Sequence, residues 1–148
     1  MSNQLVLESL KTVLINSYSL YLKTQNYHWN VIGPNFKSLH ELFELQYQDL
    51  AEAIDVLAER IRALGDLVPA TLEEYNSQKI ISDGNRDFTS NQMLEDLVKG
   101  QDTIISLLKD LIEKCEQNKD AGTADMATLR IEVHQKNRWM LSSSMVKI

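Results

Sequence analysis

Apolar residues at Leu7, Leu10, Val13, Leu14, Tyr18, Tyr21 and Leu22 recur at three- and four-residue steps, the spacing that lines one face of an amphipathic helix. The pattern predicts a first helix over about residues 4–31, closed by Gly33-Pro34. Gly adopts the left-handed conformation just past a helix end, and Pro cannot continue the hydrogen-bond ladder. A second pattern runs from Phe36 through Leu39, Leu42, Phe43, Leu45, Leu50, Ile54, Leu57 and Ile61 to Leu64, unbroken until Gly65. It predicts a helix of roughly 28 residues, about 42 Å long. Residues 66–88 carry turn formers and little periodicity, with TLEEYNSQ a candidate short helix inside a long crossover.

Thr89-Ser90-Asn91-Gln92 matches a capping box, in which the Thr hydroxyl and the Gln side chain satisfy exposed amides at a helix start. Met93, Leu94, Leu97, Val98, Ile104, Leu107, Leu108, Leu111 and Ile112 then carry a third helix to about residue 117. After the turn NKDAG, with Thr123 as the expected cap, a fourth helix holds Met126, Leu129, Val133 and Leu141, and Trp139 and Met140 are assigned to its core side. The order is two helical hairpins joined by one long connection, the ferritin-like variant of the four-helix bundle. The expectation is an all-α fold, residues 1–148 forming one domain.

Composition narrows the partners. Five Gly and two Pro in 148 residues disfavour a turn-rich β architecture or a low-complexity chain. Lys+Arg number 15 against 21 Asp+Glu, and the net charge of -6 argues against a general polyanion binder and favours cations. The lone Cys115 cannot form an internal disulfide and reads as a packing residue. No export signal is legible in MSNQLVLESL, and no apolar stretch approaches the roughly 18 residues of a membrane span, so a soluble, cytoplasmic protein is expected.

The chemistry-bearing residues gather near the first hairpin. His28 lies in NYHWNVIGPNF near the end of the first helix, and His40 in the first turns of the second. His40 and Glu44 are four apart and share a face, able to grip a metal through imidazole nitrogen and carboxylate oxygen; Asp55 and Glu59 repeat the spacing. The two pairs are offset by 15 residues, about 22 Å along a helix, whereas one metal draws its ligands to within roughly 2.0–2.6 Å. One chain cannot complete such a site. Two copies of the second helix, packed antiparallel about a two-fold axis near Asp49 and Leu50, would set His40 and Glu44 of one against Asp55 and Glu59 of the other, generating two identical sites. Imidazole with several carboxylates suits ferrous iron or zinc better than magnesium. The Glu-x-x-His pairs of conventional di-iron bundles are missing: Gln25, Lys37 and Ile131 stand three residues before His28, His40 and His134. The bland readings are a packed His28, a structural His134, and Asp55 and Glu59 as a solvated face paired with Arg60 or Arg62.

NYHWNVIGPNFKSLHELFE, DLAEAIDVLAERIRALG and the segments TADM and RWML resemble the Dps family of ferritin-like mini-ferritins over nearly the whole chain. The resemblance implies a hollow dodecamer with ferroxidase sites at two-fold interfaces, His28, His40 and Glu44 coming from one subunit and Asp55 and Glu59 from its mate. Many members carry Asp where this chain has Glu44, one methylene longer. It further implies that Fe(II) is oxidised there, preferentially by hydrogen peroxide, that ferric mineral collects in the cavity, and that DNA is thereby protected. Trp29 and Tyr47 are candidate sinks for a stray oxidising equivalent, with packing as the alternative. Asp120 and Asp125 match a region where the family's pores carry acidic residues that draw in Fe(II); Asp125 has helix-start electrostatics as its alternative role. Some members condense DNA through Lys-rich arms, but residues 1–10 hold no Lys or Arg and only Lys147 follows Arg138, so weak or absent DNA binding is expected. DNA condensation, or a structural shell without oxidation, are the competing functions.

Overall fold

The computed structural model describes residues 3–147. Among them are five helices and no strand: α1 Gln4–Asn30, α2 Phe36–Ala63, α3 Leu72–Gln78, α4 Ser90–Gln117 and α5 Ala121–Ser143. The expected long elements and the short crossover helix are all present. Gly33, at φ 120°, turns the chain between α1 and α2, and Gly65, at φ 98°, follows α2; both need the backbone freedom that a side chain would remove. The capping box forms at Thr89, whose hydroxyl accepts the Gln92 amide while the Gln92 side chain accepts the Thr89 amide.

The start of α5 differs from the sequence reading. Asp120, not Thr123, is the cap: its carboxylate accepts the Thr123 amide at 3.0 Å and the Thr123 hydroxyl at 2.7 Å. Asp caps as well as Thr does, and standing three residues earlier it gives Ala121 and Gly122 to the first turn.

The α1–α2 and α4–α5 hairpins meet through α1 and α4, closely enough that a Cβ on Gly100 would lie 2.6 Å from Leu20 Cδ1. The shared core includes Leu10, Leu14, Leu20, Phe43, Leu50, Leu57, Leu97, Ile104 and Leu108, each burial stabilising the fold by about 1.5–3 kcal/mol. The fourth seam, between α2 and α5, is bridged by long polar side chains. Arg60 reaches the Thr123 hydroxyl at 2.9 Å and Asp120 at 3.2 Å, Arg130 pairs bidentately with Asp49 at 2.9 Å, and Gln46 donates to the Asn137 carbonyl at 3.3 Å.

His134 sits in that seam as a structural group. Its Nδ1 donates to Gln101 Oε1 at 2.7 Å, and its Nε2 accepts from Arg130 at 3.0 Å. Burial, reinforced by the Arg130 charge, lowers its pKa to about 3. Cys115 is buried, its thiol pushed up to about 11 chiefly by burial and secondarily by Asp120, as a packing residue requires. Trp139, expected in the core, is 63% exposed and Met140 half-buried. The inward stripe of α5 follows Ala127, His134, Asn137 and Leu141, and Trp139, two residues before Leu141, falls on the opposite side.

The crossover is tied down by polar clamps from α1. Asn16 Oδ1 accepts the amides of Ile80 and Ile81 at 2.7 and 3.0 Å. The buried Lys23 ammonium reaches Asp96 and Ser82, and the Tyr27 hydroxyl donates to Asp96 while accepting the Asn85 amide. Burial and then Asp96 raise the Tyr27 pKa far above its ordinary value. Among the described residues no helix is long and apolar enough to cross a membrane.

Candidate metal centre

The last turn of α1 and the first turns of α2 bring His28 and His40 face to face, their rings 3.8 Å apart and 12° from parallel. Each ring is held by the other's backbone: His28 Nδ1 donates to the His40 carbonyl at 2.7 Å, and His40 Nδ1 to the His28 carbonyl at 2.6 Å. A carbonyl oxygen can only accept, so both Nδ1 atoms carry protons, which leaves Nε2 as the nitrogen of each ring able to offer a lone pair to a metal. Metal-binding histidines are commonly oriented in this way, with the second nitrogen engaged by a carbonyl or carboxylate. Phe36 stacks beyond His40 at 5.1 Å, and Tyr47 meets His28 edge-on at 5.2 Å.

Glu44 joins this pair through His28. Its Oε1 lies 3.7 Å from His28 Nε2, and its side chain is 46% exposed against 6% for His28. The sequence spacing paired Glu44 with His40; the hairpin geometry also brings it beside His28. The three side chains are thus neighbours at a partly open surface without converging on one point.

Asp55 and Glu59 do not reach this set. They stand exposed further along α2, and among the described residues neither makes a hydrogen bond or ion pair. The arginines suspected as their partners are occupied elsewhere: Arg60 by Asp120 and Thr123, Arg62 by the Asp66 carbonyl at 3.1 Å. Among the described residues of one chain, no three His, Cys, Asp or Glu side chains converge to hold a metal ion. Between the two halves, Leu45 and Val56 are 66% and 51% exposed. Eleven residues apart, they share one face of α2.

Asp120 is engaged by its neighbours in the fold. Burial alone would raise its pKa, but the Thr123 and Arg60 bonds outweigh it and hold the carboxylate below its usual range, its charge matched by Arg60. Asp125 is exposed and borders a surface depression with Glu116. Trp29 is 62% exposed with its ring 6.4 Å from His28. The sequence reading missed Phe36 as a stacking partner, though its four-residue offset from His40 on a helix was a usable signal. It also missed the Lys23–Tyr27–Asp96 cluster, in which Lys23 and Tyr27 on α1 lie 73 and 69 residues from Asp96 on α4.

The arrangement is a helical bundle with a His/carboxylate cluster at its surface. A ferritin-like domain profile matches residues 7–148. The chain is 34% identical over 139 residues to DNA protection during starvation protein 2 of Bacillus anthracis, covering 94% of this chain and 95% of that protein. It superposes with a TM-score of 0.93 on the crystal structure of a Dps protein from Bacillus brevis, at 33% identity, covering 97% and 98% of the two chains. The Dps protein of Vibrio cholerae O1, described as a member of the ferritin-like diiron-carboxylate superfamily, superposes with a TM-score of 0.92 at 30% identity, over 95% of this chain and 89% of that one. The chain belongs to the Dps family of ferritin-like proteins.

Proposed function

We propose that this protein is a ferroxidase that stores iron, taking up Fe(II), oxidising it at sites shared between two copies, and holding the ferric product inside a dodecameric shell. The observation that carries the reading is the His28–His40 pair. Two imidazoles, each locked at Nδ1 by a carbonyl with Nε2 turned away from that bond, present the donors that a borderline divalent metal takes. His28, His40 and Glu44 serve as ligands from one subunit, and Asp55 and Glu59 from its two-fold mate. The exposed Leu45 and Val56 support this pairing. Placed antiparallel about the middle of α2, Leu45 of one copy meets Val56 of the other, and the same centring sets each His half-site against an unpaired Asp55 and Glu59.

Iron is the substrate, and its oxidant is hydrogen peroxide. Two Fe(II) ions held together supply two electrons to one peroxide, which is reduced to water without releasing hydroxyl radical. Zinc competes for the same donor set. DNA protection follows from removing iron and peroxide together and needs no DNA contact, consistent with the net charge of -6. The relatives named for DNA protection and for diiron-carboxylate chemistry support the reading. The test is to load Fe(II) without oxygen, add peroxide, and follow ferric absorbance in wild type and in a His28→Ala, His40→Ala double variant, with light scattering to confirm assembly. Wild type should develop absorbance and the assembled variant should not; equal absorbance in both rejects the site.

A further inference from the structure

Four of the five tyrosines form one unbroken line that begins at the candidate metal centre. Tyr47 meets His28 edge-on at 5.2 Å, Tyr21 meets Tyr47 at 5.9 Å, Tyr18 meets Tyr21 at 5.8 Å, and Tyr75 meets Tyr18 at 5.0 Å. The line passes from α2 to α1 and ends on α3. All four rings are half-buried. At the far end Tyr18 and Tyr75 line a cavity of about 570 Å³ between α1 and the crossover, beside Leu22, Leu72, Lys79 and Arg86. The fifth, Tyr27, lies off the line, bonded to Asp96.

Edge and tilted contacts of this kind are favourable packing, worth about 0.5–1.5 kcal/mol a pair, and packing explains any one of them. It does not explain their continuity. Leu or Phe would fill the same half-buried space, whereas tyrosine alone among these can lose an electron and a proton to give a stable phenoxyl. Burial, with Tyr18 and Glu74 nearby, raises the Tyr75 pKa, so the terminal residue is a neutral phenol at physiological pH.

We propose that Tyr47, Tyr21, Tyr18 and Tyr75 are a redox relay that carries a stray oxidising equivalent from the metal centre to the α1–α3 cavity. The inference rests on the ferroxidase reading. When a single Fe(II) meets peroxide, the iron gives up one electron and the O–O bond breaks, leaving Fe(III), hydroxide and a hydroxyl radical. The radical takes the hydroxyl hydrogen atom of Tyr47, giving water and the Tyr47 phenoxyl. Each later step moves one electron and one proton overall: the inner phenoxyl recovers its O–H as the next phenol loses its own, until the unpaired electron rests on Tyr75. The damage is thereby moved from the ligands to a half-buried ring that lines the cavity.

The experiment uses the assembled protein, given less than one Fe(II) per site and then excess peroxide in the presence of a nitroso spin trap. Ferric absorbance is recorded in each sample, and the adducts are located by peptide mapping. Wild type should carry the adduct on Tyr75. Tyr47→Phe should lose it, and Tyr21→Phe should reduce it at least tenfold. Tyr75→Phe should move it to Tyr18. Ferric absorbance with the adduct on Trp29 or Tyr47, or with a Tyr75 adduct that survives Tyr47→Phe, overturns the relay alone. Absence of ferric absorbance in wild type overturns the ferroxidase reading and the relay together. Tyr18→Phe is a second interruption, and an unchanged Tyr75 adduct in both Tyr18→Phe and Tyr21→Phe likewise contradicts the relay.

Discussion

His28 and His40 restrain each other through their backbone carbonyls, so each is positioned by the residue it must work with. Substitution by Ala keeps the backbone carbonyl that holds the other ring, so His40→Ala removes one imidazole donor and leaves His28 in place; it should slow peroxide-driven iron oxidation by about 100-fold or more, at or beyond the upper end of the 10–100-fold loss typical of outer-shell changes. Stopped-flow ferric absorbance measures it. His134 shows the opposite chemistry in the same chain. Its folded pKa of about 3 lies below the unfolded value near 6.5, so the native state refuses a proton that the unfolded state accepts. The associated stability is fully present above about pH 6.5 and is lost as pH falls toward 3. The loss should reach about 2 kcal/mol by pH 5. Urea midpoints at pH 7 and pH 5 read it, and His134→Gln should flatten the dependence over that interval.

At the scale of elements, the two hairpins are built on apolar stripes and the crossover on polar clamps. Asn16 alone satisfies two loop amides. Asn16→Ala should cost on the order of 1–3 kcal/mol, with faster hydrogen exchange at Ile80 and Ile81 than in the α4 core as its signature. The long helices were legible in the sequence because their periodicity is local: α2 runs over the stretch expected, and the capping box at Thr89 needs only four consecutive residues. The start of α5 is ambiguous in the sequence because Asp120 and Thr123 are comparable caps, and both are also bonded to Arg60, which lies 60 or more residues away. Trp139 was misplaced for a related reason. An aromatic residue reads as core until the phase of its helix is known, and α5, whose inward stripe includes His134 and Asn137, has little amphipathic contrast to reveal that phase. The candidate site was half legible. Residue types and the 15-residue offset gave the division between His28, His40 and Glu44 on one side and Asp55 and Glu59 on the other. Which imidazole Glu44 approaches, and which atoms the rings leave free, depend on the hairpin turn and not on helical spacing.

For the whole molecule, charge and exposure point in one direction. A net charge of -6 opposes the phosphate backbone, and a gel shift at moderate salt should show no retardation of duplex DNA. The exposed Leu45 and Val56 are the apolar part of the face that, in this account, a second copy covers. Placing like charges there by Leu45→Glu with Val56→Glu should shift light scattering to a smaller species and abolish iron oxidation while helical content is retained.

If each metal centre belongs to two chains, mixing two dead variants reveals it most directly. A His28→Ala, His40→Ala chain lacks one half of the ligand set, and an Asp55→Ala, Glu59→Ala chain lacks the other. Each should assemble and be inactive alone. Co-assembled in equal amounts, half the dimers are mixed and each mixed dimer regains one of its two sites, so peroxide-driven ferric absorbance should return to about one quarter of the wild-type rate. No activity in confirmed mixed assemblies, or wild-type activity in either variant alone, would contradict a shared site.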